Sequence, residues 1–230
     1  MSSKDFKQDL EHHLRRFYAL RRHRNPKSEF NQQLEKLQQF QVNRMRQTCL
    51  PLCGHVSEEN LLEYILREMY NGLDLGTMGR NADKVVRFAT KFVSDKELMM
   101  SSMELNAVSG EIDEKLTEIL FEKMAVSHIS EELYAAATVM ADIQTMRERQ
   151  ISLVEKLSAG LDINSKSKVV YSAFKIAKTP AKLAGFGKYY DTLWNGFSVI
   201  RALESPEKVI SKFMSAERAY LLSMFERKVG

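Results

Sequence analysis

The chain has 230 residues, 44% of them apolar and 28% charged, and a formal net charge of +4. That length can bury a substantial core, and the composition is that of an ordinary globular protein. No run of about 18 apolar residues exists to span a bilayer, the polar start Met1-Ser2-Ser3-Lys4-Asp5 lacks the apolar core of a secretory signal, and Cys49 and Cys53 alone make no disulfide framework, so a cytoplasmic protein is expected.

Four prolines and ten glycines over the whole chain favour long helices over many turns. Phe6, Leu10, Leu14 and Phe17 recur at helical spacing and predict a basic amphipathic first helix, ended at Asn25-Pro26. Ser28-Glu29 opens a second helix. Its stripe of Phe30, Leu34, Leu37, Gln41 and Arg44-Met45 runs to Thr48. After the break at 50–54, Ser57 is expected to cap a third helix carrying Leu61, Leu62, Ile65, Leu66 and Met69, which stops at Asn71-Gly72. Short helices are expected over 79–93, 95–107 and 111–126. The longest, 131–158, is expected to be the central element, with Leu133, Ala137, Met140, Ile143 and Val154 buried and Gly160 at its end. Further helices are expected near 165–178, 180–203 and 206–228, the last two opened by Pro180 and Pro206. No useful alternation of apolar and polar residues appears. The expected fold is an all-α bundle of about nine or ten helices without a sheet, divided into a basic helix over 1–27 and one helical domain over 28–230.

Charge is uneven along the chain. Residues 1–27 carry eight Lys/Arg against three acids, and 163–190 carry six lysines and no acid. The middle is acidic at Glu104, Glu111, Asp113, Glu114, Glu118 and Glu122. Such asymmetry speaks of partners and association rather than of fold.

Catalytic and metal chemistry find little support. His12 and His13 are adjacent and diverge on a helix, so they are not a chelating pair. Cys49, Cys53 and His55 fall one ligand short of a structural zinc site and read as thiols in a helix-to-helix loop. Ala184-Gly185-Phe186-Gly187-Lys188 lacks the strand and the spacing of a phosphate loop. Carboxylate neighbours such as Asp113-Glu114 and Glu131-Glu132 diverge as well. Neither a metal nor a cofactor is expected, and the chain is read as not an enzyme. Arg147-Glu148-Arg149-Gln150 leaves two readings open, a structural ion-pair network and an anion site built on Arg147 and Arg149.

Tyr64-Ile65-Leu66-Arg67-Glu68-Met69-Tyr70, followed by Leu73-Asp74-Leu75 and Asn81-Ala82-Asp83, resembles the FFLEELY signature of a family of helical proteobacterial proteins. Further pieces are Leu37 to Gln41 with Arg44-Met45, Arg147 to Gly160, Phe174 to Gly185, Leu193 to Phe197, and Glu217-Arg218 with Leu221-Leu222 and Phe225. Tyr64 and Arg67 depart from the signature's Phe and Glu. The resemblance covers about 34–228, implies a helical fold, carries no established activity, and leaves the first helix outside. The length and general run of the chain are also similar to an accessory subunit of the Dot/Icm type IVB coupling complex. That resemblance implies a cytoplasmic adaptor at the inner-membrane face that helps a coupling ATPase complex handle effector proteins.

The residues lead to a compatible expectation. Partner proteins with acidic or amphipathic segments should meet Phe6, Leu10, Leu14, Arg15, Arg16, Phe17, Arg21 and Arg22 on the first helix. They should also meet Lys166, Lys168, Lys175, Lys178, Lys182 and Lys188 on the lysine-rich face. The first helix's apolar stripe needs a cover, either this chain's own bundle or a partner's groove. The aromatics Tyr171, Phe174, Phe186, Tyr189 and Tyr190 among the lysines keep a nucleic-acid-binding alternative open. A small-ligand-binding helical domain is a further alternative.

Overall fold

The computed structural model of the protein describes residues 3–20, 27–70, 95–165, 167–183 and 187–226. They form nine α-helices, and no strand occurs among them. The all-α multi-helix bundle expected from periodicity is the observed fold.

Helix α1 is Ser3–Ala19 and α2 is Glu29–Cys49, the latter capped by Ser28, whose hydroxyl accepts from the Asn31 N–H at 3.3 Å. Phe30, Leu34, Leu37, Gln41, Arg44 and Met45 are all buried on α2, as their spacing predicts. A short 3-10 turn, Leu50–Leu52, leads to α3, Val56–Tyr64. Here His55, not Ser57, occupies the cap position. The Glu58 carboxylate accepts the loop N–H of Gly54 at 2.7 Å, which draws that acid, and not Ser57, to the helix start. Helix α3 widens into a π-helical turn, Ile65–Tyr70, that holds the signature segment. Leu62, Ile65 and Leu66 are buried there as expected. The side chain of Met69, the stop at Asn71-Gly72 and the helix expected over 79–93 lie outside the described residues.

The two helices expected over 95–107 and 111–126 are one. Helix α4, Lys96–Thr117, is capped by Asp95 and continues as a π-helical turn, Glu118–Lys123. Ser109-Gly110 does not break it. Gly costs about 1 kcal/mol in a helix interior, and here almost every side chain from Met99 to Asp113 is buried, so packing on several sides overrides that cost. Helix α4 shares the centre of the bundle with the helix that begins at Gln144: α4 also touches α1 and α2, and the Gln144 helix touches the three helices that follow it.

The expected 131–158 helix is two. Helix α5, Glu131–Met140, ends at Ala141, and Asp142 turns the chain with φ of 49°, a left-handed conformation that Asp tolerates better than most residues. Helix α6 then runs Gln144–Ser165. Ala137, Ile143 and Val154 are buried as expected, but the turn swings Met140 out to 58% exposure and leaves Leu133 half-buried. Gly160 lies inside α6 rather than at its end. A Cβ there would strike Leu98 of α4, so the residue permits close approach.

Pro180 also sits inside its helix. Helix α7 is Lys168–Leu183 and α8 is Gly187–Arg201, in place of the expected 165–178 and 180–203. Proline removes one intrahelical hydrogen bond, yet Ala181 beyond it is buried and holds the last turn on the bundle. Helix α9, Pro206–Glu226, starts at its proline as expected.

The apolar interior falls into two clusters. The larger draws on α2 to α6, α8 and α9. The smaller gathers Phe6, Leu10, Leu14, Phe17 and Leu20 of α1 and its following residue with Met99, Met100 and Met103 of α4, Ala181 of α7 and Tyr190 of α8.

Candidate functional site

The segment Arg147-Gln150 forms a network rather than an anion site. Arg147 is 4% exposed. Its guanidinium donates to Gln150 Oε1 at 2.8 Å and to the Tyr134 hydroxyl at 2.7 Å. Gln150 in turn donates to Ser109 Oγ at 2.7 Å. One chain of polar contacts thus ties α5, α6 and α4 inside the bundle. Arg149 points elsewhere, to a bidentate pair with Glu104 at 2.7 Å. The two arginines do not converge on a shared site. Tyr134 is fully enclosed, and burial raises its phenol pKa despite Arg147 and Arg44 nearby.

A second polar centre joins α2 to α9. Arg44 is buried and pairs bidentately with buried Glu217 at 2.6 and 2.7 Å. Its guanidinium also lies 4.1 Å from the centroid of the Tyr220 ring. Tyr220 donates to Glu131 at 2.5 Å, linking α9 to α5, and burial raises the Tyr220 pKa above its ordinary value. Gln38 and Gln41 of α2 both donate to Asp113 of α4. These buried groups face one another and are spent on holding helices in register.

The thiols behave as packing groups. Cys49 is buried, and desolvation pushes its pKa up to about 12. Cys53 donates to the Cys49 carbonyl at 3.7 Å. Among the described residues, no group of three or more His, Cys, Asp or Glu is placed to hold a metal ion.

The expected partner residues divide into three sets. Phe6, Leu10, Leu14 and Phe17 are covered by the chain itself, in the smaller cluster, so the stripe packs on this protein's own bundle. Arg16 is also engaged: it pairs bidentately with Glu111 of α4 at 2.8 and 2.9 Å. Arg15 is exposed and, among the described residues, reaches Glu11 on its own helix at 3.8 Å. Arg21, Arg22 and Lys166 lie outside the described residues.

The remaining lysines lie on an exposed face of α7 and at the start of α8. Lys168, Lys175, Lys178 and Lys182 are exposed on α7, and none makes an ion pair with an acid among the described residues. Lys188 is exposed at the start of α8. Lys168, Lys175 and Lys182 are seven residues apart, two helical turns, so they form a ridge. Beside it Ile176 and Leu183, also seven apart, stand 77% and 85% exposed. The lysines stand out in the sequence by their charge, and these two apolar residues do not. Their shared spacing with the lysine ridge was the signal that could have found them.

Among the described residues, no helix is long and apolar enough to cross a membrane. Nothing among curated proteins matches the chain, and nothing among solved structures does. A family described as a domain of unknown function, DUF8198, matches residues 19–229. The match runs from the last residue of α1 to beyond α9, and the protein belongs to the DUF8198 family.

Proposed function

We propose that this protein is a non-catalytic accessory subunit that holds a partner protein on the exposed face of α7. The observation that carries this reading is the lysine ridge flanked by Ile176 and Leu183. A single-sign ridge beside apolar side chains suits an acidic amphipathic segment, whose carboxylates meet the lysines while its apolar face covers Ile176 and Leu183. The buried polar groups support it from the other side, because Arg147, Gln150, Tyr134, Arg44 and Glu217 are already paired with one another. The proposed assembly is a type IVB secretion coupling complex at the cytoplasmic face of the inner membrane, in keeping with the sequence resemblance.

The test is affinity purification of the full chain from its native host at low salt, beside the triple variant Lys175→Glu, Lys178→Glu, Lys182→Glu. A partner recovered with the wild type and lost from the variant supports the proposal. Recovery of the wild type only as a free monomer overturns it. So does equal recovery of the partner with the charge-reversed chain. A single-stranded oligonucleotide bound by the wild type and refused by the variant would assign the ridge to nucleic acid instead.

A further inference from the structure

Two exposed faces of the chain have opposite charge and complementary shape. On α7, Ile176, Thr179, Pro180 and Leu183 stand at i, i+3, i+4 and i+7, the four corners of a hole that a facing helix fills with one side chain. Ile176 and Leu183 are 77% and 85% exposed and about 10 Å apart along the helix, so they leave room between them for such a side chain. Lys175, Lys178 and Lys182 lie to one side of that hole, and α7 contains no acid.

On α5, Glu132, Ala136 and Met140 are exposed at i, i+4 and i+8. Met140 is an unbranched apolar side chain, 58% exposed, beside the turn at Asp142. The helix carries no lysine or arginine, and Glu131 and Asp142 add exposed acids at its two ends. Glu131 and Glu132 accept hydroxyls of Tyr220 and Ser130, contacts that leave the carboxylate charge in place. Charge again lies to one side of the apolar position. At about 100° per residue, the lysines are offset from the hole on α7 in the same rotational sense as Glu132 is from Met140 on α5. Two facing helices with that shared sense bring their charges together only when they run antiparallel.

We propose that a second copy of this chain is the protein held on α7, with the α5 face of one copy seated antiparallel on the α7 face of the next. Met140 enters the hole between Ile176 and Leu183. In that register Ala136 and Glu132 run toward Lys182, and Asp142 falls toward Lys175 and Lys178. The proposal rests on the reading of α7 as a docking face and gives that face its partner. Within one copy α5 packs on α9 and on the π-helical turn after α4, whereas α7 packs on α6 and α8. The two faces are therefore separate surfaces, and the contact is head to tail. Such contacts close into a ring or continue as a row. Opposite charge selects the partner and speeds encounter, and burial of Met140, Ile176 and Leu183 slows release.

The test is sedimentation velocity of the full chain over a range of concentrations at low salt. The wild type should self-associate, and should dissociate as salt is raised. The ridge variant Lys175→Glu, Lys178→Glu, Lys182→Glu and the α5 variant Glu132→Lys, Ala136→Lys should each associate at least about tenfold more weakly. An equimolar mixture of the two should associate, because the first supplies an intact α5 face and the second an intact α7 face. One chain carrying all five changes should regain association through the exchanged charges. All five positions are exposed, and circular dichroism checks that the helices are kept. Met140→Ser, a milder change that leaves every charge in place, should weaken association about tenfold. A wild type that stays monomeric at every concentration overturns the proposal. A native-host protein still lost from the ridge variant would then leave α7 as the docking face of a different partner. Association untouched by the α5 variant and by Met140→Ser, or absent from the mixture, also overturns it.

Discussion

The ring of Tyr64 lies directly on the backbone of Gly196, where α3 crosses α8. A Cβ at position 196 would come within 2.5 Å of Tyr64 Cζ and 3.0 Å of Cε1, and closer still to the hydroxyl oxygen. Gly196→Ala should therefore destabilise the protein by about 1–3 kcal/mol through overpacking, despite the better helix propensity of Ala. The urea midpoint measures it. Adding Tyr64→Phe, which restores the residue type of the resembled signature, should recover part of the loss, since it removes the nearest clashing atom. An unchanged midpoint in the single variant would mean that the two helices can separate freely.

Arg44 and Glu217 form a buried pair whose members depend on each other. Glu217→Leu should cost about 3–5 kcal/mol, because it leaves the Arg44 charge buried and uncompensated. The double replacement Arg44→Met, Glu217→Leu should be far less harmful than either change alone. Chemical denaturation of the four proteins in a double-mutant cycle gives the coupling directly. Additive losses would refute it.

Docking of α1 should weaken in acid. His13 faces Glu104 of α4 and, on its own helix, Asp9, His12 and Arg16. Burial is the largest cause and holds its pKa below the ordinary value of about 6.5, with Arg16 and His12 adding to the fall and Glu104 and Asp9 opposing it. The Arg16 guanidinium can only donate, so the contact at 3.3 Å requires His13 Nδ1 to accept, as the neutral ring does. The docked state thus binds fewer protons than the undocked one. Its stability is complete above about pH 6.5 and is lost as pH falls toward the lowered pKa. Hydrogen exchange of α1 amides between pH 7.5 and 5 should rise after correction for intrinsic rates, and His13→Gln should flatten the profile.

The two thiols should separate by reactivity. The thiolate is the nucleophile, and burial pushes Cys49 up to about 12 while raising Cys53 less. At pH 8 a thiol reagent should modify one cysteine of the folded chain, Cys53, more slowly than a free cysteine. The second should react only after unfolding. Mass spectrometry of the labelled peptides identifies the site, and rapid native labelling of Cys49 would contradict its enclosed position.

Much of the helical content was legible because apolar periodicity is local. Phe30 to Met45, or Phe6 to Phe17, needed only their own spacing to be read as helix faces. Chain punctuation was less legible. Gly110 and Pro180 carry local penalties, and only the packing around α4 and Ala181 shows why the helices continue through them. The turn at Asp142 was hidden for the opposite reason. Ala137, Ile143 and Val154 keep an apolar rhythm across it, so the sequence read as one unbroken helix. The cover of α1 is not legible, because a stripe states that it needs a partner and not which one. The partners of Arg147 were equally out of reach, since Tyr134 and Ser109 come from other helices.

The pair that joins α2 to α9 also bears on how the chain is made. Arg44 and Glu217 are 173 positions apart. Synthesis proceeds from the N-terminus at about 5–20 residues per second, so Arg44 is made roughly 9–35 seconds before its counter-charge. During that interval α2 cannot take its final place without stranding a cation in the interior. The contact between α2 and α9 is therefore expected to close only once α9 has been released, with Arg44 in water until then. Completion of the core becomes a late event, coupled to the release of α9.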